Sequence, residues 1–279
     1  MLLEVKKFTL SAMFLALSAV SFASASGDIL GTKLTPLGAN PNPSSDGEIP
    51  AWTGGLITPP EGYVRGEPHI DPYSAEQPIL KISAENVDQY RNRLTNTQLS
   101  LISKYSGAYY LNVYKTHRSC AVPQFVYDAT KRNIETAKMV DDGNGFIGAF
   151  AGVPFPIPEN AQEIMWNYQT YYYGHRFSAQ SSGGVMYEDG TFTRTQRNDI
   201  RYSLYNNPQT SSFDDLGGDL FKWTGVYVAP PMMNGLAFSM TNTINQVERP
   251  RYGHMYRPDT RRIMRSVPNA TSYNAPSLE

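Results

Sequence analysis

Cysteine is nearly missing from this chain. Cys120 stands alone among 279 residues, so no internal disulfide can brace the fold and stability has to come from a buried core. Charge is also sparse and balanced: 24 basic against 25 acidic side chains, 18% charged residues in all, and a net charge of −1. That excludes the basic footprint of a nucleic-acid partner. Histidine is rare, and His69, His117, His175 and His254 are scattered along the chain. HExxH, GxSxG, GxGxxG, the phosphate-binding loop and paired CxxC motifs are all missing, which leaves no recognisable enzyme signature, cofactor or metal site. In THRSC, His117 and Cys120 lie an odd number of residues apart, on opposite faces of a strand, and read as a buried thiol beside a strand-end histidine. Two acidic clusters, Asp141-Asp142-Gly143-Asn144 and Asp214-Asp215 with Asp219, lack the spacing and closing glutamate of a calcium loop and read as solvated turns.

What is present is patterned. Residues 1–25 carry Lys6 and Lys7, a short apolar run from Phe8 to Phe22, and Ala23-Ser24-Ala25, the sequence of a secretory signal peptide cleaved after Ala25. The run is shorter than the roughly 20 residues a spanning helix requires. No cysteine follows the cleavage point, so a lipid anchor is not expected. Residues 26–82 are dense in proline and glycine but keep Trp52, Tyr63, Tyr73 and Ile79, aromatic and apolar anchors suited to an ordered arm docked on a body. The rest, 83–279, forms the main domain. Short helices are expected from Ser83 through Leu94 and over 97–105, a half-buried strand over 109–115, and a longer helix from Pro123 whose apolar spacing reaches Val140 before the GNG at 143–145.

Residues 152–158 read GVPFPIP, with proline at every second position. Proline fixes φ and offers no N–H, so this run is a stiff, extended apolar strap that cannot be a central strand. Val153, Phe155 and Ile157 alternate with the prolines and can point one way together. The strap leads into a helix bearing Ile164, Tyr168, Tyr171 and Tyr172 on one side. Everything after Gly174 reads as sheet: an Asp189-Gly190 hairpin signal, alternating runs at 191–205, 219–229 and 236–247, and a final pair around Pro258-Asp259. The fold class expected is mainly β (α+β), a strongly curved antiparallel sheet or half-barrel with helices on its concave side. The arginines Arg257, Arg261, Arg262 and Arg265 crowd the last pair, as a solvated strand face or as a contact for an acidic partner or phospholipid headgroup.

Five strings, TPLGANPNPSSDGEIPAWTGG (35–55), DPYSAEQPILKISAENVDQY (71–90), YKTHRSCAVPQFVYDAT (114–130), GVPFPIPENAQEIMWN (152–167) and MYRPDTRRIMRSVPN (255–269), resemble the blocks of a secreted proteobacterial family of unknown function. Its members are often described as outer-membrane lipoprotein-sorting proteins. The last block is similar to a strand–turn–strand of the LolA/LolB-like superfamily, in which a half-open barrel holds acyl chains. Relatives usually continue with further strands after the arginine-rich hairpin, so this chain looks like a C-terminally truncated member with an exposed sheet edge. The resemblance implies a periplasmic protein without catalysis that binds or carries a lipid or acylated chain, with an envelope transport protein as a second partner. Val153, Phe155, Ile157, Ile164, Tyr168, Tyr171 and Tyr172 would then line the ligand site. An envelope structural protein with a self-filled core, and an unrecognised hydrolase, are the alternative readings.

Overall fold

The computed structural model describes residues 29–265, so the segment read as a signal peptide and the end of the arginine-rich block lie outside the described residues. The chain divides into two compact units, Pro41–Ala121 and the remainder, residues up to Asn40 together with those from Val122 onward.

In the smaller unit, β1 (Leu80–Ile82) pairs antiparallel with β2 (Leu111–Val113). The alternating stretch 109–115 is strand only over its middle. Val87–Arg93 forms a 3-10 helix rather than an α-helix, because Asn86 Oδ1 accepts the Ser83 N–H at 2.8 Å and closes a local turn where a cap would be needed. The following helix, α1 (Asn96–Lys104), opens on a capping box between Thr95 and Gln98 and buries Ile102. The proline-rich arm is held by the segment 113–120. Trp52 Nε1 donates to the Cys120 carbonyl, and Tyr73 stacks on His117 at 3.8 Å while its hydroxyl meets Ser119 Oγ at 2.6 Å. Tyr63 and Ile79 stay exposed. Cys120 is exposed rather than buried, and His117 pairs with Glu76 at 2.8 Å, outside any strand.

In the larger unit, α2 (Gln124–Thr136) buries Val126, Ala129, Thr130 and Asn133. It stops at Thr136, four residues short of the apolar spacing, because β3 (Lys138–Val140) pairs instead with β4 (Gly145–Ile147) across a turn at Asp141–Gly143. The two polar residues in its buried face answer to the strap. Thr130 Oγ1 accepts the Val153 N–H at 3.0 Å, and Asn133 Nδ2 donates to the carbonyls of Ala151 and Val153. A Cβ on Gly152 would sit 2.6 Å from the Thr130 nitrogen, so only glycine lets the strap cross α2 this closely.

After the strap comes α3 (Ala161–Thr170), capped by Asn160, whose Oδ1 accepts the Glu163 N–H at 3.0 Å. Then β5 (Arg176–Met186), β6 (Phe192–Ser203), β7 (Asp219–Ala229), β8 (Ala237–Thr243), β9 (Tyr252–Arg257) and β10 (Arg262–Arg265) form one antiparallel sheet of six strands in chain order. The protein is mainly β, and among the described residues the sheet is not a closed barrel; β5 and β10 are its outer strands. Irregularities at Gln196/Arg197 and Asp219/Phe221 add local twist. The link between β7 and β8 holds a short 3-10 turn at Pro231–Met233. No helix among the described residues is long and apolar enough to cross a membrane.

The register fixes which side chains share a face. Arg201 lies opposite Phe177 and Trp223, and Arg197 opposite Ser181 and Tyr227, while Trp223 faces Met240 and Phe238 faces Met255. This face packs on the rest of the unit through Phe221, Trp223 and Met240, which join Phe146, Phe155, Trp166 and Tyr205 in the main core. A smaller cluster of Tyr227, Met233 and Phe238 lies farther along the same face.

Candidate functional site

The strap does not hold its three apolar side chains in one environment. Its backbone bends at Pro154 and again at Pro156 and Ile157, so the alternation expected of an extended run is lost. Pro154 and Phe155 are buried, Val153 is half-buried, and Ile157 is 41% exposed. Phe155 sits edge-on to Phe146 in the main core. Asn167 of α3 clamps it on both sides, accepting its N–H at 2.9 Å and donating to its carbonyl at 2.6 Å. The strap is thus stitched to α2 and α3 by side chains that supply the partners its prolines cannot exchange in a sheet.

The helix α3 turns Trp166, Asn167 and Thr170 inward, with Trp166 Nε1 donating to the Gly143 carbonyl at 2.9 Å. The face carrying Ile164 and Tyr168 is the exposed one, and Tyr171, just past the last turn, is exposed as well. Tyr172 diverges to meet Phe125 edge-on, where burial raises its hydroxyl pKa. From the exposed face a row of rings continues inward. Tyr168 stacks on Tyr171, Tyr171 contacts Tyr173 at 4.6 Å, and Tyr173 meets Phe177 of β5 at 5.3 Å.

That row ends at charges the sequence reading passed over. In the string RNDIR, Arg197, Asp199 and Arg201 are spaced by two, which on a strand puts all three on one face, here the core-facing one. Asp199 is 4% exposed and its acceptor sites are well used. It takes the Arg197 Nε hydrogen on both oxygens at 2.8 and 3.0 Å, Trp223 Nε1 at 3.1 Å and Ser181 Oγ at 3.0 Å. Arg197 lies over the rings of Trp223, Tyr227 and Phe238. Burial alone would depress its pKa, but the bonds to Asp199 and Tyr227 outweigh that and raise it. Gly225 makes the arrangement fit: a Cβ there would lie 2.5 Å from the Phe238 ring and 2.6 Å from Asp199 Oδ1.

Arg201 is placed differently. Its guanidinium lies 3.6 Å from the Phe221 ring centroid and 4.6 Å from that of Tyr173, and burial pushes its pKa down to about 10, leaving it charged at neutral pH. Toward the outer strands the same face loses its cover, with apolar side chains among polar ones and Arg257 and Arg262 beside Met255 and Met264. Val185 is 41% and Met264 43% exposed, and Met255 is half-buried.

The arginine-rich hairpin splits across the sheet. Arg257 and Arg262 are cross-strand neighbours, Arg257 is bound to Asp259 at 3.0 Å, and Arg265, an odd step from Arg262, faces the other side. Arg261 sits in the turn with a φ of 52°, and all four are exposed. Of the acidic residues, Asp219 is not a solvated turn residue but 8% exposed and paired with Arg249. Among the described residues no group of His, Cys, Asp and Glu could hold a metal ion. A cavity of about 330 Å³ beside α3 is lined by Gly143, Gln162, Met165, Trp166, Gln169 and Gln246, none of them in the strap.

No solved structure matches the chain. An uncharacterized protein of Pseudomonas aeruginosa is 38% identical over 258 residues, covering 88% of this chain and 54% of its own length, so the chain spans about half of that relative. Residues 81–279 match the family described as a protein of unknown function, DUF1329, and with a match over most of its length the chain belongs to that family.

Proposed function

We propose that the protein is a non-catalytic binding or carrier protein for a hydrophobic ligand, a lipid or acylated chain, taken up on the core-facing side of its six-stranded sheet. The observation that supports this reading is the partial cover of that face. Phe221, Trp223 and Met240 are packed by the protein's own core, while the same face runs on to a half-buried and exposed strip at Met255 of β9 and Met264 of β10, and to exposed Val185 at the opposite edge of the sheet. An alkyl chain laid on such a strip is stabilised by roughly 0.8 kcal/mol per CH₂ removed from water. In this reading the sheet curves as a half-barrel of the lipoprotein-sorting kind with α3 on its concave side. The exposed rings of Tyr168 and Tyr171 form the entry, the protein works in the periplasm, and an envelope transport protein exchanges the ligand. The rival reading, an envelope structural protein with a self-filled interior, draws on the burial of Phe155, Trp166 and Tyr205.

Titration with an apolar fluorescent probe separates the two. Saturable binding is expected, weakened by about 1–3 kcal/mol in Val185→Glu on the core-facing side and unchanged in Ile200→Glu on the opposite face. Equal effects of both substitutions, or no saturable binding, would remove the sheet face from the function.

A further inference from the structure

The core-facing side of β6 carries two guanidinium groups and one carboxylate, and the carboxylate is committed to Arg197. Arg201 has no ion-pair partner among the described residues, and its Nε is shielded from solvent without a hydrogen-bond acceptor. Phe221 and Tyr173 cover the guanidinium but leave its N–H groups unmatched, because those point outward in the guanidinium plane. The Tyr173 hydroxyl is itself buried and unpartnered. Two shielded donors without acceptors therefore belong to neighbouring side chains, the Arg201 guanidinium lying over the Tyr173 ring where the row of rings from α3 reaches the sheet. Arg132 offers a contrast: its Nε is also shielded, yet the same guanidinium donates to the Phe150 carbonyl.

Buried polar groups in folded proteins are nearly always hydrogen-bonded, so a pair of orphan donors of this kind marks the place of an acceptor supplied from outside. A planar guanidinium fork matches the two oxygens of a carboxylate or phosphate. We propose that Arg201 and Tyr173 form a recognition site for an oxyanion, the carboxylate or phosphate group of an amphiphile whose chain lies on the adjoining apolar strip. This rests on the binding reading above and narrows it to acidic amphiphiles. Arg201 holds the head group by two parallel N–H donors, Tyr173 adds its O–H, and no covalent step is involved.

The test compares dodecyl phosphate and dodecanoate with dodecanol, a neutral compound of the same chain length, and with inorganic phosphate, by calorimetry on the full chain. At least one of the two acidic compounds should bind about tenfold or more tightly than dodecanol, and Arg201→Gln should bring the difference within about twofold. Arg201→Lys, which keeps the charge but not the fork, should lose most of the preference. Tyr173→Phe, which removes a hydroxyl without a partner, should lose part of the preference without lowering thermal stability. Equal binding of all three alkyl compounds would overturn the oxyanion site and leave the apolar reading standing. Arg201-dependent binding of inorganic phosphate with no binding of any alkyl compound would support the site and sink the apolar reading. Loss of stability in the Arg201 variants with the preference intact would reduce Arg201 to a packing group and overturn the proposal.

Discussion

Phe155 shows how far a single residue could be read. Its flanking prolines fix the backbone, as the sequence suggests, but its ring goes into the core against Phe146, and Asn167 seals its peptide groups. Phe155→Ala should cost about 3–5 kcal/mol of folding stability, measured by denaturant unfolding, because it opens a cavity in a packed aromatic cluster. Asp199 carries an equal weight for another reason. Removing its carboxylate leaves Arg197 shielded without its counter-charge, so Asp199→Ala should destabilise by about 3–5 kcal/mol. An unfolding midpoint within error of the parent would show that the buried pair is not needed. These charges were present in the string RNDIR, and period-two spacing could have found them. They were passed over because charge in an alternating run is expected on the wet face, and only the pairing of β6 with β7 shows that here it faces inward.

At the scale of elements, legibility followed the strength of the local pattern. β7 runs over Asp219–Ala229, the limits its alternation indicates, and α1 lies within one residue of its expected span. The end of α2 was not readable, since Ala137 and Val140 keep helical spacing and only the pairing of β3 with β4 draws the chain out of the helix. The strap failed for the reverse reason: strict alternation suggested an extended run, and proline geometry with anchoring from Thr130, Asn133 and Asn167 bent it. The turn before β7 carries a pH prediction. Ser211, through its side chain and N–H, and Ser212 hold the Asp215 carboxyl down to about 2, below its ordinary 3.8. A depressed carboxylate stabilises the fold above its unfolded pKa, and that contribution disappears as pH falls through the folded value. The thermal midpoint of the parent should therefore exceed that of Asp215→Asn at pH 7, and the gap should close between about pH 4 and about pH 2. A gap independent of pH would contradict this.

For the whole molecule, the mainly β class was legible because six strands in chain order need only local hairpins, each announced by alternation and turn residues. The side chains that the sequence pointed to divide in the structure. Tyr168 and Tyr171 begin the row of rings that leads to Arg201, whereas Val153 and Phe155 belong to packing against α2 and α3. What joins these residues is long-range register, which one sequence does not display. In the proposed reading the core-facing side of the sheet carries an apolar ligand. This is tested most directly by isolating the protein from its native cells without detergent and analysing an organic extract by mass spectrometry. An acyl-chain compound in near-stoichiometric amount is the expected result, depleted in Val185→Glu and retained in Ile200→Glu. Protein free of any such compound, and unable to take one up from lipid vesicles, would contradict it.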